Sequence, residues 1–285
     1  MKLPLIVVHG GAGSWEDEKL KKAIPHVEKA ASIGYELLND GYSALDAAEA
    51  CTTYMENCGS LNAGIGARPN RDGVRELDAM IVDGFNLQFG SVAAITDIQN
   101  PTVLARYIME KTEHNFFAGC NAKALYEEMI KSGYRHPDED NVIKPIHVEA
   151  VSDTVGCVVV DKQERIAATS STGGIKEKIP GRVGDSPIFG SGAYANRICG
   201  ATATGYGEHI SRTLLCRMAV LQVEEGKELG VALLNTMDDF KNVTGSEAGI
   251  IMADMKGNYA TLTNAKAMPI CMISAEVGEP VIATK

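Results

Sequence analysis

Thr154 is the residue of this chain that is best placed to act as a nucleophile. It directly follows Asp153 and opens a valine-rich run, Thr154 to Asp161, that is typical of a buried β-strand. A threonine hydroxyl attacks a carbonyl carbon efficiently only when a base takes its proton. The nearest upstream histidine, His147, lies in a polar, proline-containing segment without periodicity. The sequence therefore gives Thr154 a hydroxyl but no obvious neighbouring base.

A cut of the peptide bond between Asp153 and Thr154 would supply that base. The freed α-amine of Thr154 would have an ordinary pKa of about 7.7–8.0, so much of it could accept a proton at neutral pH. In such a cut the Thr154 hydroxyl attacks the Asp153 carbonyl and forms an ester, which water then opens. Residues 133–153 combine glycine, proline and acidic residues without periodicity, and they predict an exposed linker before the strand.

A second threonine is expected beside the first. Residues 155–160 and 166–170 flank a polar turn, which predicts an antiparallel hairpin centred on Gln163. In that register Thr154 faces Thr172, and directly opposed residues lie about 4.5–5.5 Å apart at Cα. Cross-strand threonine pairs also occur in sheets without any chemistry, so the spacing alone leaves both interpretations open.

Two further groups of residues suit an amino-acid ligand. Arg182 and Asp185 lie three residues apart in a loop with glycine and proline, and their charges complement the carboxylate and the ammonium of a zwitterion. A local ion pair between the two is the alternative. The turn Thr204 to Gly207 is able to aim a hydroxyl and a backbone N–H at a developing oxyanion, although it also reads as an ordinary glycine turn.

Composition narrows the function further. The 285 residues allow one large domain, and hydrophobic and charged contents of 45% and 22% are ordinary for a globular protein. A formal net charge of −10 argues against nucleic acid or an anionic membrane as a partner. The seven cysteines include no CxxC pair, which favours free thiols in the cytoplasm. No apolar stretch approaches the roughly 20 residues of a membrane span.

The hydrophobic pattern predicts helices and strands in blocks, with most strands joined as antiparallel hairpins, and so indicates an α+β fold. Pro25 predicts the first turn of one helix, and Ser43 with Asp46 predicts a capping box at the start of a second, which ends near Met55. Further helices are expected at about 101–112, 119–132, 208–225 and 229–240. Strands are expected at about 3–8, 77–82, 87–95, 155–160, 166–170, 188–189, 198–204, 249–253, 259–263 and 268–273.

Taken in order, these motifs resemble the plant-type asparaginase, or isoaspartyl peptidase, family of N-terminal-nucleophile hydrolases. The resemblance covers most of the chain, and the ordered set is far more specific than any one motif. It rests on the residues around Thr154 and on the segments His9–Gly13, Asn62–Gly66, Leu77–Gly84, Ser171–Gly174, Gly181–Pro187 and Thr204–Gly207.

The resemblance implies a four-layer αββα sandwich, a single domain over residues 1–285 that cleaves itself into an α subunit, 1–153, and a β subunit, 154–285. Two αβ units would form a heterotetramer. It further implies a small-molecule substrate, asparagine or a β-aspartyl dipeptide, and no catalytic cofactor. A structural sodium ion would be held by backbone carbonyls of the loop Met55 to Asn62.

The resemblance also implies a role for each site residue. Thr154 would be the nucleophile and its freed amine the base, with Thr172 in support and Asn62 nearby. Arg182 would hold the substrate α-carboxylate and Asp185 the α-amine. The oxyanion hole would comprise Thr204 and Gly205, with Gly207 completing the turn.

Three other interpretations stay open at this point. Asp153 and the segment Gly174–Ile179 are closer to the related glycosylasparaginases, which cleave a sugar–asparagine amide, and the segment Asn264–Met268 lacks the glycine expected before that methionine. A phosphotransferase could use the opening glycine motif to bind phosphate, although no Gly-x-x-x-x-Gly-Lys-Ser/Thr motif is present. A non-cleaving homologue that only binds amino acids is the remaining alternative.

Overall fold

The computed structural model describes residues 2–134 and 154–285, so Asp153 and nearly all of the predicted linker 133–153 lie outside the described residues. Within them the fold mixes helices and strands, as the α+β prediction requires. The strands are β1 Leu5–His9, β2 Leu77–Asp83, β3 Gln88–Ile95, β4 Phe116–Ala118, β5 Val155–Val160, β6 Ile166–Thr172, β7 Ala193–Ala195, β8 Cys199–Gly205, β9 Ala248–Asp254, β10 Tyr259–Thr263, β11 Ile270–Ser274 and β12 Val281–Ala283. The helices are α1 Asp17–Asn39, α2 Ala44–Asn57, α3 Pro101–Lys111, α4 Ala122–Lys131, α5 Gly207–Thr213, α6 Leu215–Glu224 and α7 Leu229–Thr244.

The strands form two sheets. The larger sheet has the order β12-β11-β1-β5-β6-β2-β3-β4, and the smaller has the order β10-β9-β8-β7. Neighbouring strands run antiparallel, with β3 and β4 as the parallel exception among the described pairs. Since β5 and β6 lie in the middle of the larger sheet, the start of β5 is held by pairing on both sides.

The β5–β6 hairpin has the predicted register. Val155 lies opposite Ser171, and Val160 lies opposite Ile166. The carboxylate of Asp161 accepts hydrogen bonds from the backbone N–H groups of Gln163, at 2.9 Å, and of the following Arg165, at 3.0 Å. These bonds fix the turn. The fixed turn places Thr154, the residue before β5, next to the end of β6.

Both faces of β5 are buried, which explains its unbroken apolar run. Successive side chains of a strand point to opposite faces. Cys157 and Val159 therefore pack in one cluster with α1 and α2. Val158 and Val160 pack in a second cluster that contains residues of the smaller sheet, such as Ile251. A third cluster joins the smaller sheet to α6 and α7, and a fourth joins α3 and α4 to β2 and β3.

The capping box at α2 is confirmed. The Ser43 hydroxyl accepts the Asp46 N–H at 3.2 Å, and the Asp46 carboxylate accepts the Ser43 N–H at 3.2 Å. The predicted position of Pro25 is wrong, since Pro25 lies inside α1 and the helix begins at Asp17. A proline removes the hydrogen bond to the carbonyl four residues earlier, and that residue, Lys21, is exposed, so water can solvate its carbonyl.

Two other predictions need correction near the site. Residues 188–189 do not form a strand but make an isolated bridge between Phe189 and Ala193, because the backbone turns here: the Ile188 N–H donates to the carbonyl of Asp185 at 2.9 Å, and the Ile188 carbonyl accepts the N–H of Ser191 at 2.9 Å. The strand is instead β7. The helix predicted over 208–225 is divided at Leu214, whose φ of 49° lies in the left-handed region and separates α5 from α6.

No helix among residues 2–134 and 154–285 combines the length and the apolar character that a membrane span requires.

Gly90 in β3 lies against α3, and a Cβ there would overlap the carbonyl oxygen of Ala105. We expect Gly90→Ala to lower the free energy of unfolding by about 1–3 kcal/mol, the usual effect of overpacking. Urea unfolding of the parent and of both variants measures this. The matched control is Gly230→Ala in α7, where an added Cβ meets nothing within 4 Å. Equal midpoints for the two variants would contradict the prediction.

Candidate active site

One small pocket brings together most of the residues that sequence analysis selected. Its lining comprises Thr154, Thr172, Gly174, Ile175, Arg182, Gly184, Asp185, Gly205 and Gly207. Two other selected residues adjoin this lining: the Asn62 side chain bonds to the carbonyl of Gly174, and Thr204 directly precedes Gly205 in β8. A larger cavity of about 810 Å³, beside Lys2 and Tyr259, contains none of the selected residues. The chemistry of the side chains therefore identifies the smaller pocket as the candidate site.

The Thr154 hydroxyl lies at the inner wall of this pocket. Thr154 is only 4% exposed, and its Oγ1 lies 3.3 Å from the Oγ of Ser186, which is fully buried. The Thr172 Oγ1 accepts the N–H of Gly174 at 3.0 Å. Thr172 thus lines the pocket and also fixes the turn that follows β6. Ser186 was not assigned a role from the sequence, where it is only the residue after Asp185.

Asn62 fixes the same turn from the other side. Its Nδ2 donates to the carbonyl of Gly174 at 2.8 Å, and its backbone carbonyl accepts the N–H of Gly173 at 2.9 Å. Its Oδ1 accepts the N–H of Arg68 at 2.8 Å. All of these bonds are buried or nearly so. The segment between Thr172 and Gly174 is therefore held by two side chains at once.

Arg182 is held by a partner that sequence analysis missed. Its Nε and Nη2 donate to the two carboxylate oxygens of Glu208 at 2.8 and 2.6 Å. Burial alone would lower the pKa of Arg182, but the hydrogen bonds and charge of Glu208 raise it overall. The same hydrogen bonds lower the pKa of Glu208. In the sequence Glu208 looked like an ordinary acid in the first turn of a helix, so its only signal was its place directly after Gly207.

Asp185 lies on the other side of Arg182 and is 3% exposed. A Cβ at Gly207 would lie 2.8 Å from the Asp185 Oδ1 and 3.0 Å from the Arg182 Nη2, so the start of α5 contacts both charged groups. Any larger residue at position 207 would push against them. The absence of a side chain at Gly207 thus leaves space for the carboxylate of Asp185 and the guanidinium of Arg182.

A second, fully buried pair of charges lies behind Arg182. The Lys178 Nζ donates to the carbonyl of Glu76 at 3.1 Å. Burial lowers the pKa of Lys178, and the nearby Asp78 charge opposes that shift. Burial raises the pKa of Asp78, and the charge of Lys178 opposes it in turn. Opposite charges therefore compensate each other in this layer, where an uncompensated charge would be costly.

Thr204 and Gly205 occupy the last two positions of β8. The fully buried Thr204 Oγ1 accepts the N–H of Ala12 at 3.1 Å, so its own proton is directed elsewhere. Gly205 has a φ of 145°, and a Cβ there would lie 2.7 Å from the carbonyl oxygen of Glu247. Only glycine suits this position, and its backbone forms part of the pocket wall.

His9, in the opening glycine motif, lies behind Thr154. Its ring is fully buried, and its Nε2 is 3.4 Å from the Thr202 Oγ1. Burial lowers the pKa of His9 from 6.5 to about 3, although a hydrogen bond to the Thr154 backbone opposes the shift. The imidazole is therefore neutral near pH 7.

In the loop expected to hold a sodium ion, three backbone carbonyls pack closely against Gly64 and Gly66. A Cβ at Gly66 would lie 2.9 Å from the carbonyl oxygen of Gly59 and would overlap that of Leu61, and one at Gly64 would overlap that of Glu56. Oxygen ligands of this kind suit a hard cation. Among the described residues no group of three His, Cys, Asp or Glu side chains is arranged to hold a metal.

Comparisons with known proteins show the family of the chain. A family model described as "Asparaginase" matches residues 2–136 and 130–282. The isoaspartyl peptidase/L-asparaginase of Bos taurus is 36% identical over 291 residues, which cover 93% of this chain and 92% of the bovine protein. The plant-type L-asparaginase of Pyrococcus abyssi is 35% identical over 300 residues, which cover 96% of this chain and 98% of that protein.

The isoaspartyl peptidase/L-asparaginase of Homo sapiens is 33% identical over 282 residues, which cover 93% of this chain and 92% of the human protein. The chain therefore belongs to the asparaginase family, and the resemblance inferred from its motifs is confirmed. It is a hydrolase of the N-terminal-nucleophile type, as the sequence analysis predicted.

The buried His9 predicts an acid-dependent loss of stability. Because its pKa in the folded chain, about 3, is below the value of 6.5 in the unfolded chain, its contribution is complete above pH 6.5 and is lost as the pH falls toward 3. When the pH is lowered from 7.5 to 5, the free energy of unfolding of the parent protein should fall by about 2 kcal/mol more than that of His9→Gln. Urea unfolding of the variant and of the parent at both pH values measures this.

The control for that measurement is His114→Gln, a replacement at an exposed position. It is expected to keep the pH dependence of the parent chain. A parallel pH dependence for His9→Gln and the parent would show that the imidazole does not resist protonation in the folded state.

Proposed function

We propose that the protein hydrolyses L-asparagine and β-aspartyl dipeptides through an acyl-enzyme formed on Thr154. The observation that carries the proposal is the convergence of Thr154, Arg182, Asp185 and Gly205 on one pocket. It joins a hydroxyl, a cation, an anion and a backbone turn in one small space. The printed names of the relatives support the same substrates, since they describe isoaspartyl peptidases and L-asparaginases.

The active form is proposed to arise by self-cleavage between Asp153 and Thr154. The Thr154 Oγ1 loses its proton and bonds to the Asp153 carbonyl carbon, the C–N bond breaks, and the nitrogen gains that proton to become the new α-amine. Water then hydrolyses the ester and gives chains 1–153 and 154–285. The central position of β5 supports this scheme, because the new terminus would stay anchored by strands on both sides.

Substrate binding would use the two charged groups of the pocket. The α-carboxylate would contact Arg182 on the side of Nη1, since Nε and Nη2 already bond to Glu208. The α-ammonium would contact Asp185. A zwitterion held at both ends presents its side-chain amide to Thr154, and this orientation contributes to the rate by proximity.

In the reaction the free amine of Thr154 would take the hydroxyl proton while Oγ1 bonds to the amide carbon. The resulting oxyanion would accept hydrogen bonds from the Thr204 hydroxyl and the Gly205 backbone, which act most strongly in a site shielded from water. The amine returns its proton to the leaving ammonia or amino acid. Water then attacks the ester, regenerates the hydroxyl and releases aspartate. Thr172 and Asn62 would support the pocket wall.

The proposed architecture is one domain built as a four-layer αββα sandwich, and two αβ units are proposed to assemble. The packing of α1 and α2, the two sheets, and α6 and α7 in successive clusters supports the layers. We also infer a structural sodium ion on the carbonyls of the loop Met55 to Asn62, and no cofactor takes part in the proposed steps. A cytoplasmic location is consistent with seven free cysteines.

Thr154→Ala is expected to abolish both self-cleavage and hydrolysis, because it removes the attacking oxygen. Mass spectrometry of the parent protein should give two chains with the boundary at Asp153–Thr154, and the variant should give one. Ammonia release from asparagine and leucine release from β-aspartyl-leucine measure activity. An intact parent chain with full activity would overturn the mechanism. Faster turnover of sugar-linked asparagine than of either substrate would favour a glycosylasparaginase.

Arg182→Lys is expected to raise KM for asparagine at least about tenfold with a smaller change in kcat. A lysine loses both the fork that bonds to Glu208 and the planar contact with a carboxylate, and charged hydrogen bonds contribute about 1.5–3 kcal/mol. The matched control is Arg165→Lys, whose guanidinium lies 5.0 Å from the ring centroid of Phe85 in the β5–β6 turn region. An unchanged KM for Arg182→Lys would remove Arg182 from substrate binding.

A further inference from the structure

Ser186 contacts the oxygen on which the proposed chemistry depends. Within residues 2–134 and 154–285, the hydrogen-bond partner of the Thr154 Oγ1 is the Ser186 Oγ, at 3.3 Å. Thr172, the hydroxyl that the sequence placed beside Thr154, instead accepts the N–H of Gly174. The hydroxyl that contacts the Thr154 Oγ1 therefore comes from the loop after Asp185 and not from β6.

We propose that Ser186 is a positioning residue that orients the Thr154 hydroxyl, an inference that rests on the function proposed above. A hydroxyl can donate one hydrogen bond and accept others. Thr154 must deliver its proton to its own nitrogen, so Ser186 acts as the donor in this pair. Its proton stays on Ser186 throughout and stabilises the negative charge that develops on Oγ1 during attack and again when the ester is hydrolysed.

The loop that carries Ser186 is rigid enough for this role. The carbonyl of Asp185 accepts the N–H groups of Ile188 at 2.9 Å and Gly192 at 3.1 Å. The carbonyl of Pro187 accepts the hydroxyl of Ser91 in β3 at 2.6 Å. The residues on both sides of Ser186 are thus tied down, and its side chain is fully buried. A fixed donor of this kind restricts the rotamers of Thr154.

The same loop also carries the proposed anchor for the substrate ammonium. Asp185 and Ser186 are consecutive, with one side chain lining the pocket beside Arg182 and the other contacting Thr154. One rigid turn thus fixes the distance between the substrate and the attacking oxygen. We therefore expect Ser186 to affect the rate of the chemical steps, whereas Asp185 and Arg182 bind the amino-acid head of the substrate.

The test compares Ser186→Ala with Ser191→Ala. Ser191 lies in the same loop and is fully buried, and its Oγ has no hydrogen-bond partner among the described residues. Ser186→Ala is expected to lower kcat for asparagine about 3- to 10-fold, the effect of one lost hydrogen bond, and to slow self-cleavage by a similar factor. KM should stay within about twofold, and Ser191→Ala should match the parent in all three values.

A kcat for Ser186→Ala equal to that of Ser191→Ala would overturn the inference, as would a loss carried wholly by KM. If Ser186→Ala does not yield folded protein, Ser186→Cys replaces it, and its kcat must then fall below that of the parent for the inference to hold. Thr154→Ala in the same assays distinguishes a failure of the proposed function from a failure of the role of Ser186. Activity that survives Thr154→Ala overturns the proposed function, whereas loss in Thr154→Ala with no loss in Ser186→Ala overturns only the role of Ser186.

Discussion

The position of Thr154, the proposed nucleophile, depends on the register of the β5–β6 hairpin. Asp161 fixes the turn at one end by accepting two backbone N–H groups. At the other end this register leaves Thr154 beside the last residue of β6, Thr172. A shift by one residue would turn every side chain of the strand to the opposite face. Hydrogen bonds at the turn therefore determine where Thr154 lies at the opposite end of the hairpin.

Burial of β5 on both faces makes that register costly to change. A shift would move Cys157 and Val159 away from α1 and α2 and Val158 away from the smaller sheet. The polar end of the sheet must then satisfy its charges locally. Arg182 pairs with Glu208, and Lys178 lies 3.8 Å from the carboxylate of Glu76 and near the charge of Asp78. A zwitterionic ligand adds one charge of each sign to this layer and so leaves the net charge of the layer unchanged.

Local signals predicted much of the fold and of the site. Both capping groups of α2 and the register of the hairpin depend on neighbouring residues, which is why they could be predicted correctly. Glu208 and Ser186 could not be selected, because their significance arises from contacts across 26 and 32 residues of sequence. The division between α5 and α6 at Leu214 was missed for a related reason, since nothing in its residue type favours a left-handed conformation.

The pairing of Arg182 with Glu208 also bears on how a carboxylate would be recognised. The side chain of Arg182 is 14% exposed, whereas that of Glu208 is 41% exposed. Glu208 can therefore be released to water at small cost, whereas Arg182 would then depend on the charges of Asp185 and Asp78 for compensation. A substrate carboxylate that approaches Nη1 could replace part of that pairing and leave the guanidinium in place. In this arrangement Glu208 holds the orientation of Arg182, and the substrate contributes binding energy without having to order the side chain first.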